Sequence, residues 1–428
     1  MQALARPHHA AFLEDGIECH QQIQIQAFEP HGLISRSSMS GIMIINFSNS
    51  RTRCSEESGS TQARATGRPA DHPLWEEPVI KPWIFEFMQA PNLGDGDGDG
   101  DVRREQASNV FDKAFELWLD TERLGFEGIF FSEHHFGLSY SPSPNLLIAA
   151  VARRTTRLRL GTMGMVVPFY APWRIIEELA MLDHLTSGRL EIGFAAGVPQ
   201  ELARIGLGME EARERFNESL EILDAALATP VINHHGKYWT FENLTLMPNV
   251  FLQASPPKWT TVVSPVSAGK SARRRSKICT GFESVGRVTE IFDAYRNEAA
   301  QLGFPAGPDQ LAIRRNVSIS RDAAAAHEAS RAEKAATLKV VAGDPRVAAS
   351  ASSLLDAPRG GAGFSVHDDD YIAGTPAQVT EQIIEQCRKC GAGHLLAMLG
   401  RGVSAGRREA FALFGEEVIP QLRRAEIN

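Results

Sequence analysis

Cysteine is scarce in this chain, and long apolar runs are missing from it. Five cysteines in 428 residues cannot form the disulfide framework of a secreted protein, which predicts a reducing, cytoplasmic location. Cys387 and Cys390 form one C-x-x-C pair with no second pair or histidine cluster beside it, so we expect no metal there. No apolar stretch approaches the roughly 18 residues of a membrane-spanning helix.

Positive charge is also in deficit. Lys and Arg number 44 against 52 Asp and Glu, which gives a formal net charge of −8. Nucleic acids are bound through a basic face, and anionic membranes attract polybasic segments. The sequence therefore predicts neither a nucleic-acid partner nor a membrane partner.

Composition divides the chain into two parts. Residues 1–80 are polar with weak periodicity, which predicts an extension that is disordered or lies upstream of the true start. In residues 81–428, short apolar runs alternate with amphipathic helical segments. We therefore expect a single folded domain over 81–428.

Eight strands are predicted in that domain, most of them followed by a helix. They cover residues 83–88, 127–132, 158–167, 189–194, 259–263, 277–280, 311–320 and 394–399. A hairpin is predicted at 231–247 and a long mobile loop at 344–366. This alternation favours a TIM (β/α)8 barrel with insertions. A doubly wound sheet is the alternative, but no G-x-G-x-x-G fingerprint follows the first strand.

The active site of a TIM barrel forms where the strands end. Glu133, His134 and His135 follow the second predicted strand, and imidazole groups there suit acid–base chemistry because they titrate near neutral pH. A solvated loop is the alternative interpretation. The acidic run 95–101 follows the first strand and resembles a calcium loop, but its twelfth position is Gln106 where an EF-hand has glutamate. We expect a flexible insertion there.

Several segments resemble, in order, the luciferase-like flavin-dependent monooxygenase family of the bacterial luciferase superfamily. The resemblance is carried by residues 126–136, 158–168, 177–193, 256–259, 264–267, 374–376 and 414–420. It implies reduced FMN as cosubstrate, supplied by a separate flavin reductase. Oxygen would add at the flavin C4a, and the peroxyflavin would oxygenate a small organic substrate.

The resemblance also implies roles for individual residues. The catalytic histidine falls on His134, with His135 as a second candidate, and Glu133 would lie at the cofactor. A non-prolyl cis peptide is expected at Met163–Gly164, bulging toward the flavin ring. The remaining predicted cofactor contacts follow later strands and are Ala195, Ala196, Ser264, Ser267 and Thr280.

One feature departs from the luciferase pattern. Where luciferases have an arginine after the fourth strand, this chain has Ala195-Ala196-Gly197. Lys270 or the run 273–275 could supply the missing positive charge for the flavin phosphate, which the N-terminus of a helix after Ser264 would also attract.

Two other functions stay open, as does the oligomeric state. A deazaflavin-dependent oxidoreductase belongs to the same superfamily, and so does the non-catalytic flavin-binding barrel or partner subunit. Family members commonly dimerise through their second and third helices. A homodimer is therefore expected, through Leu147, Ile148, Ile175 and Ile176, unless these side chains pack on the barrel.

Overall fold

The structure is a computed structural model. It describes residues 79–89, 100–136, 139–248, 251–253, 256–343, 366–402 and 404–427. The predicted disorder before residue 79, most of the calcium-like loop and nearly all of the predicted mobile loop lie outside these residues. Val79 forms a bridge with Glu426 and Ile80 is fully buried, so the folded part includes at least two residues before position 81.

Twelve strands are present in the described residues. In chain order they are β1 (Lys81–Glu86), β2 (Gly128–Phe131), β3 (Arg159–Thr162), β4 (Met165–Val166), β5 (Leu190–Ala195), β6 (Val231–His235), β7 (Thr240–Thr245), β8 (Lys258–Thr261), β9 (Lys277–Thr280), β10 (Leu311–Ile319), β11 (Tyr371–Gly374) and β12 (His394–Met398).

Eight of these strands form a closed parallel barrel, which confirms the predicted fold. Their order is β10-β12-β1-β2-β3-β5-β8-β9, and the pairing of β9 with β10 closes the ring. The short strand β4 pairs with β5, and β11 pairs with β10. The predicted hairpin is the antiparallel pair β6–β7.

Helices surround the barrel. They are α1 (Gly100–Leu124), α2 (Pro144–Ala152), α3 (Pro172–Leu185), α4 (Pro199–Arg204), α5 (Met209–Ala228), α6 (Pro265–Arg273), α7 (Val285–Gln301), α8 (Ala323–Gly343), α9 (Pro376–Cys390), α10 (Ala405–Leu413) and α11 (Ile419–Leu422), with a π-helical turn at Phe414–Val418. Periodicity did not predict α4 or α8. The first is too short for a periodic pattern, and the second is rich in alanine, which favours helix without marking one apolar face.

The barrel has an inner core and an outer core because side chains alternate along each strand. The inner core contains Trp83, Phe85, Phe130, Met163, Trp259, Cys279, Ala312, Leu396 and Met398. Cys387 and Cys390 belong to the outer core, and burial raises the pKa of both thiols, so they are unreactive. No described helix is long and apolar enough to cross a membrane.

A polar cluster closes the N-terminal end of the barrel. Trp83 Nε1 donates to His394 Nδ1 at 2.9 Å, and His394 Nε2 donates to the Asp309 carbonyl oxygen at 3.0 Å. Lys81 and Lys277 pair with the Asp309 carboxylate. Burial lowers the pKa of His394. Because the polar groups at the N-terminal end bond one another, we expect the active site at the opposite, C-terminal end of the barrel.

The backbones of β3 and β5 approach each other closely at Thr162 and Gly193. Thr162 Oγ1 donates to the Gly193 carbonyl oxygen at 2.6 Å, and a Cβ at Gly193 would overlap the Thr162 carbonyl oxygen. Only glycine lets the two strands approach this closely. The contact lies just below the ends of both strands.

We expect Gly193→Ala to lower the free energy of unfolding by about 1–3 kcal/mol, because the added methyl group forces two paired strands apart. Gly286→Ala is the control, since a Cβ at this position in α7 meets no atom within 4 Å. Urea unfolding followed by circular dichroism measures both variants. Equal stabilities of the two would show that β3 and β5 are not in this close contact.

Candidate active site

Glu133 connects the ends of β2 and β3. Its carboxylate is buried, and both oxygens accept hydrogen bonds. Oε2 accepts from the backbone N–H of Val166 at 3.1 Å, while Oε1 accepts from the Tyr170 hydroxyl at 3.0 Å and from His135 Nε2 at 2.9 Å. Glu133 therefore fixes the loop that carries both histidines, and it does so with no exposed oxygen.

His134 is paired with a carboxylate that sequence reasoning missed. Its Nδ1 lies 3.0 Å from Oε1 of Glu201, which also accepts the backbone N–H of His135 at 3.2 Å. Glu201 lies in the first turn of α4 and is 4% exposed. A carboxylate on Nδ1 holds the proton on that nitrogen and leaves Nε2 as an acceptor. The ring packs beside Phe87, with centroids 4.8 Å apart.

Two aromatic contacts and one hydrogen bond fix the His135 ring. Its ring contacts Phe169 at 5.0 Å and Phe136 at 5.5 Å between centroids, and Glu133 binds its Nε2. The hydrogen bond to Glu133 raises the pKa of His135; burial opposes this, while the charges of Glu133 and Glu201 add to it. The pKa of Tyr170 is raised by burial and by Glu133, so its hydroxyl stays protonated. His135 is thus the more firmly fixed of the two histidines.

The expected cis peptide is present between Met163 and Gly164. It directly follows β3, and Met163 is part of the inner core. A Cβ at Gly164 would lie 2.7 Å from the Phe194 carbonyl carbon and 3.0 Å from the Ala195 nitrogen. Glycine is therefore required there for the bulge to lie against β5.

The residues predicted at the flavin phosphate lie after the later strands. Ala195 and Ala196 are half-buried where β5 ends. Ser264 and Ser267 cap α6 reciprocally: the Ser264 hydroxyl accepts from the Ser267 N–H at 3.2 Å, and the Ser267 hydroxyl accepts from the Ser264 N–H at 3.1 Å. The Thr280 hydroxyl is buried with no hydrogen-bond partner, and strand alternation turns it toward the helices, away from Cys279 in the inner core.

Three of the four candidate replacements for the missing arginine have other partners. Arg273 pairs with Glu298, Arg274 contacts Asn217, and the Arg275 guanidinium lies over the Phe304 ring. Lys270 is exposed, three residues after Ser267 on the same face of α6. Lys270 belongs to the last turn of α6, however, and not to its capped N-terminus.

Unpartnered polar atoms mark the open end of the barrel. Ser132 Oγ, on the inward face beyond Phe130, is buried without a hydrogen-bond partner, and so are Glu201 Oε2 and two nitrogens of Arg314 in β10. Buried polar atoms normally have partners, so these atoms are available to a bound molecule. A flavin ring, with donors and acceptors along its edge, fits such a set. In the described part of the chain, no group of His, Cys, Asp and Glu could hold a metal ion.

A parallel barrel with acid–base residues at its C-terminal end defines the class of TIM-barrel enzymes. The sequence model of the luciferase-like monooxygenase family matches residues 94–394. The chain belongs to this family, as the motifs predicted.

Relatives and solved structures agree with this assignment. The chain is 37% identical over 180 residues to the uncharacterized protein y4wF of Sinorhizobium fredii, a match covering 41% of this chain and 52% of that one. It is 33% identical to the oxygenase component of flavin-dependent trigonelline monooxygenase of Acinetobacter baylyi, covering 38% and 46%. The matched segments thus span about half the length of these relatives.

Two solved structures share the fold. Monooxygenase RslO1 from Streptomyces bottropensis has a TM-score of 0.65 at 24% identity, covering 80% of this chain and 99% of that one. The coenzyme F420-dependent tetrahydromethanopterin reductase of Methanopyrus kandleri has a TM-score of 0.59 at 19% identity, covering 81% and 99%. At these identities the likeness concerns the fold alone.

We expect the pKa of His135 to lie above its usual value of about 6.5. The Glu133–His135 pair then stabilises the fold fully below that value, and the contribution is lost as the pH rises through the raised pKa. Glu133→Gln should lower the pKa, which ¹H–¹⁵N NMR titration of the imidazoles measures. Glu242→Gln, beside the exposed His235, is the control. A His135 pKa that Glu133→Gln leaves unchanged would contradict the pairing.

Proposed function

We propose that the protein is a flavin-dependent monooxygenase that uses reduced FMN and O2 to oxygenate a small organic substrate. The observation that carries the proposal is the His134–Glu201 pair after β2, at the C-terminal end of the barrel. Glu133 binds the neighbouring His135 with one oxygen and Val166, two residues beyond the cis peptide's Gly164, with the other. Family membership supplies the reaction class.

Reduced FMN, when bound, supplies the electrons that activate O2. The cis peptide of Met163–Gly164 and the Ser132 hydroxyl would face its ring system. The N-terminus of α6 at Ser264–Ser267 would attract its phosphate. Ala195 and Ala196 leave room between these two regions because their side chains are small.

His134 is the catalytic residue in this proposal. Its Nδ1 proton is held by Glu201, so Nε2 can take a proton from the reacting groups. Glu201 is a positioning residue: it fixes the tautomer and orientation of His134 and stabilises the imidazolium once it forms. His135, held by Glu133, keeps the loop in place.

Further features follow from family membership as proposals. A separate flavin reductase would supply the reduced FMN, and the predicted domain 81–428, extended by Val79 and Ile80, would form the catalytic domain. A homodimer would form through α2 and α3. Ile148, Ile175 and Ile176 are buried on the barrel, so the interface would instead use Leu146, Trp173 and Met181, which are exposed on those helices.

Variants of the histidine pair test the proposal. We expect His134→Gln and Glu201→Gln to slow O2 consumption by the photoreduced FMN complex about 10–100-fold, because each removes the base or its orientation. FMN affinity, measured by fluorescence, should stay within about threefold, as neither residue is placed on the phosphate.

Glu218→Gln is the matched control, since Glu218 holds His234 in a similar pair beside the β6–β7 hairpin. It should leave both quantities unchanged. Equal rates in wild type and both site variants would refute the role of His134. A parallel loss of FMN affinity would assign these residues to binding and not to catalysis.

A further inference from the structure

Two inward-facing polar residues occupy the upper half of β10. Ala312 belongs to the inner core and Ile313 to the outer core, so alternation turns Arg314 and Asn316 into the barrel. Both are almost fully buried, with 3% and 4% exposed. The Arg314 guanidinium lies 5.8 Å from the ring centroid of Phe85, another inner-core residue.

The charges around Arg314 do not balance. Arg314 Nη2 donates to Asp370 Oδ2 at 2.7 Å, and Arg315 Nη1 lies 3.5 Å from Asp370 Oδ1. Both arginines and the aspartate are at most 3% exposed. Asp370 is the one carboxylate among the described residues that contacts either arginine. Two positive charges therefore share one negative charge, and a buried unpaired charge is costly unless an anion joins it.

The bonds already made leave two donors of Arg314 and one acceptor of Asn316 unused. Asp370 also accepts from Asn316 Nδ2 at 2.6 Å and from the backbone N–H of Phe282 at 3.1 Å. Arg314 Nε, Arg314 Nη1 and Asn316 Oδ1 are buried with no hydrogen-bond partner. Asp370 thus fixes the guanidinium by one nitrogen and leaves the other two nitrogens to donate elsewhere.

The neighbouring residues orient this guanidinium. Phe282 covers one face, with its ring centroid 3.9 Å from Arg314 Cζ. A Cβ on Gly281 would lie 2.8 Å from Arg314 Nε, so the absence of a side chain there keeps Nε free of contact. An arginine held by a carboxylate and an aromatic face is pre-organised to bind an anionic oxygen.

We infer that Arg314, oriented by Asp370 and Asn316, binds an anionic group of the substrate, so that the substrate class is small organic acids such as carboxylates or sulfonates. The inference rests on the proposed function, because the bound acid is a substrate only if the protein has that activity. Strand β10 lies four places from β3 around the eight-stranded ring, which is the opposite side of the barrel. An acid held by Arg314 would extend from there toward the Met163–Gly164 peptide.

Small anions test the site without flavin. The full chain is titrated at constant ionic strength with acetate, benzoate and benzenesulfonate, and with the neutral acetamide, benzamide and benzenesulfonamide, in thermal unfolding experiments. We expect at least one anion, and not its neutral partner, to raise the Tm. Arg314→Gln should weaken its binding about tenfold or more, as expected for a charged hydrogen bond.

Gly281→Ala is the second variant, because it keeps every charge and crowds Arg314 Nε. It should weaken anion binding although it removes no charge. Without anions, Arg314→Gln should unfold at or above the wild-type Tm, since Asp370 keeps Arg315 as its partner. A lower Tm together with wild-type anion affinity in Gly281→Ala would mean that Arg314 only stabilises the fold, and the inference would be overturned.

Titrations of the same proteins with FMN and riboflavin distinguish a substrate acid from the flavin phosphate as the anion that Arg314 binds. Unchanged FMN affinity in Arg314→Gln supports a substrate acid. Weaker binding of FMN but not of riboflavin would make Arg314 a ligand of the flavin phosphate and overturn the inference. If wild type binds FMN but none of the anions, this inference fails while the proposed function stands. If wild type binds an anion but not FMN, the anion site at Arg314 stands and the proposed function fails.

Discussion

Two buried carboxylates, Glu133 and Glu201, are the constraint on which the site depends. Each accepts hydrogen bonds from the loop after β2, Glu133 through His135 and Glu201 through His134. Glu133 also binds Val166, so it joins the end of β2 to β4, the strand after the cis peptide. Without these acceptors, two adjacent histidines at the end of a strand would be a solvated loop.

The barrel separates structural polar groups from reactive ones. At the N-terminal end, Trp83, His394 and Asp309 hydrogen-bond one another, and burial lowers the pKa of His394. At the other end, polar atoms of Ser132, Glu201 and Arg314 remain unpaired. Buried polar residues thus stabilise the N-terminal end of the barrel, whereas those at the C-terminal end keep hydrogen-bonding atoms for a ligand.

Local patterns in the sequence predicted the features that depend on neighbours in the chain. These include the eight-stranded barrel, the hairpin and the histidine pair after β2, whereas the cis peptide at Met163–Gly164 was expected from the family resemblance. The apolar residues of α2 and α3 illustrate the limit of such patterns. A helix pattern identifies an apolar stripe, and only the packed structure shows that Ile148, Ile175 and Ile176 face the barrel.

Long-range partners could not be predicted. Glu201 is 67 residues from His134, and Asp370 is 56 residues from Arg314. One glutamate in a short helix and one aspartate before a short strand carry no local signal of their roles. The phosphate region shows the same limit, because Arg273, Arg274 and Arg275 form a conspicuous basic run that the fold pairs with other residues.

The central claim is that this barrel end binds flavin for oxygen chemistry. The most direct measurement is titration of the purified protein with FMN, oxidised and then anaerobically reduced, followed by flavin fluorescence and absorbance, with coenzyme F420 as a parallel ligand. Our account predicts that reduced FMN binds much more tightly than oxidised FMN and that F420 does not compete. Binding of F420 alone, or of neither cofactor, would contradict it.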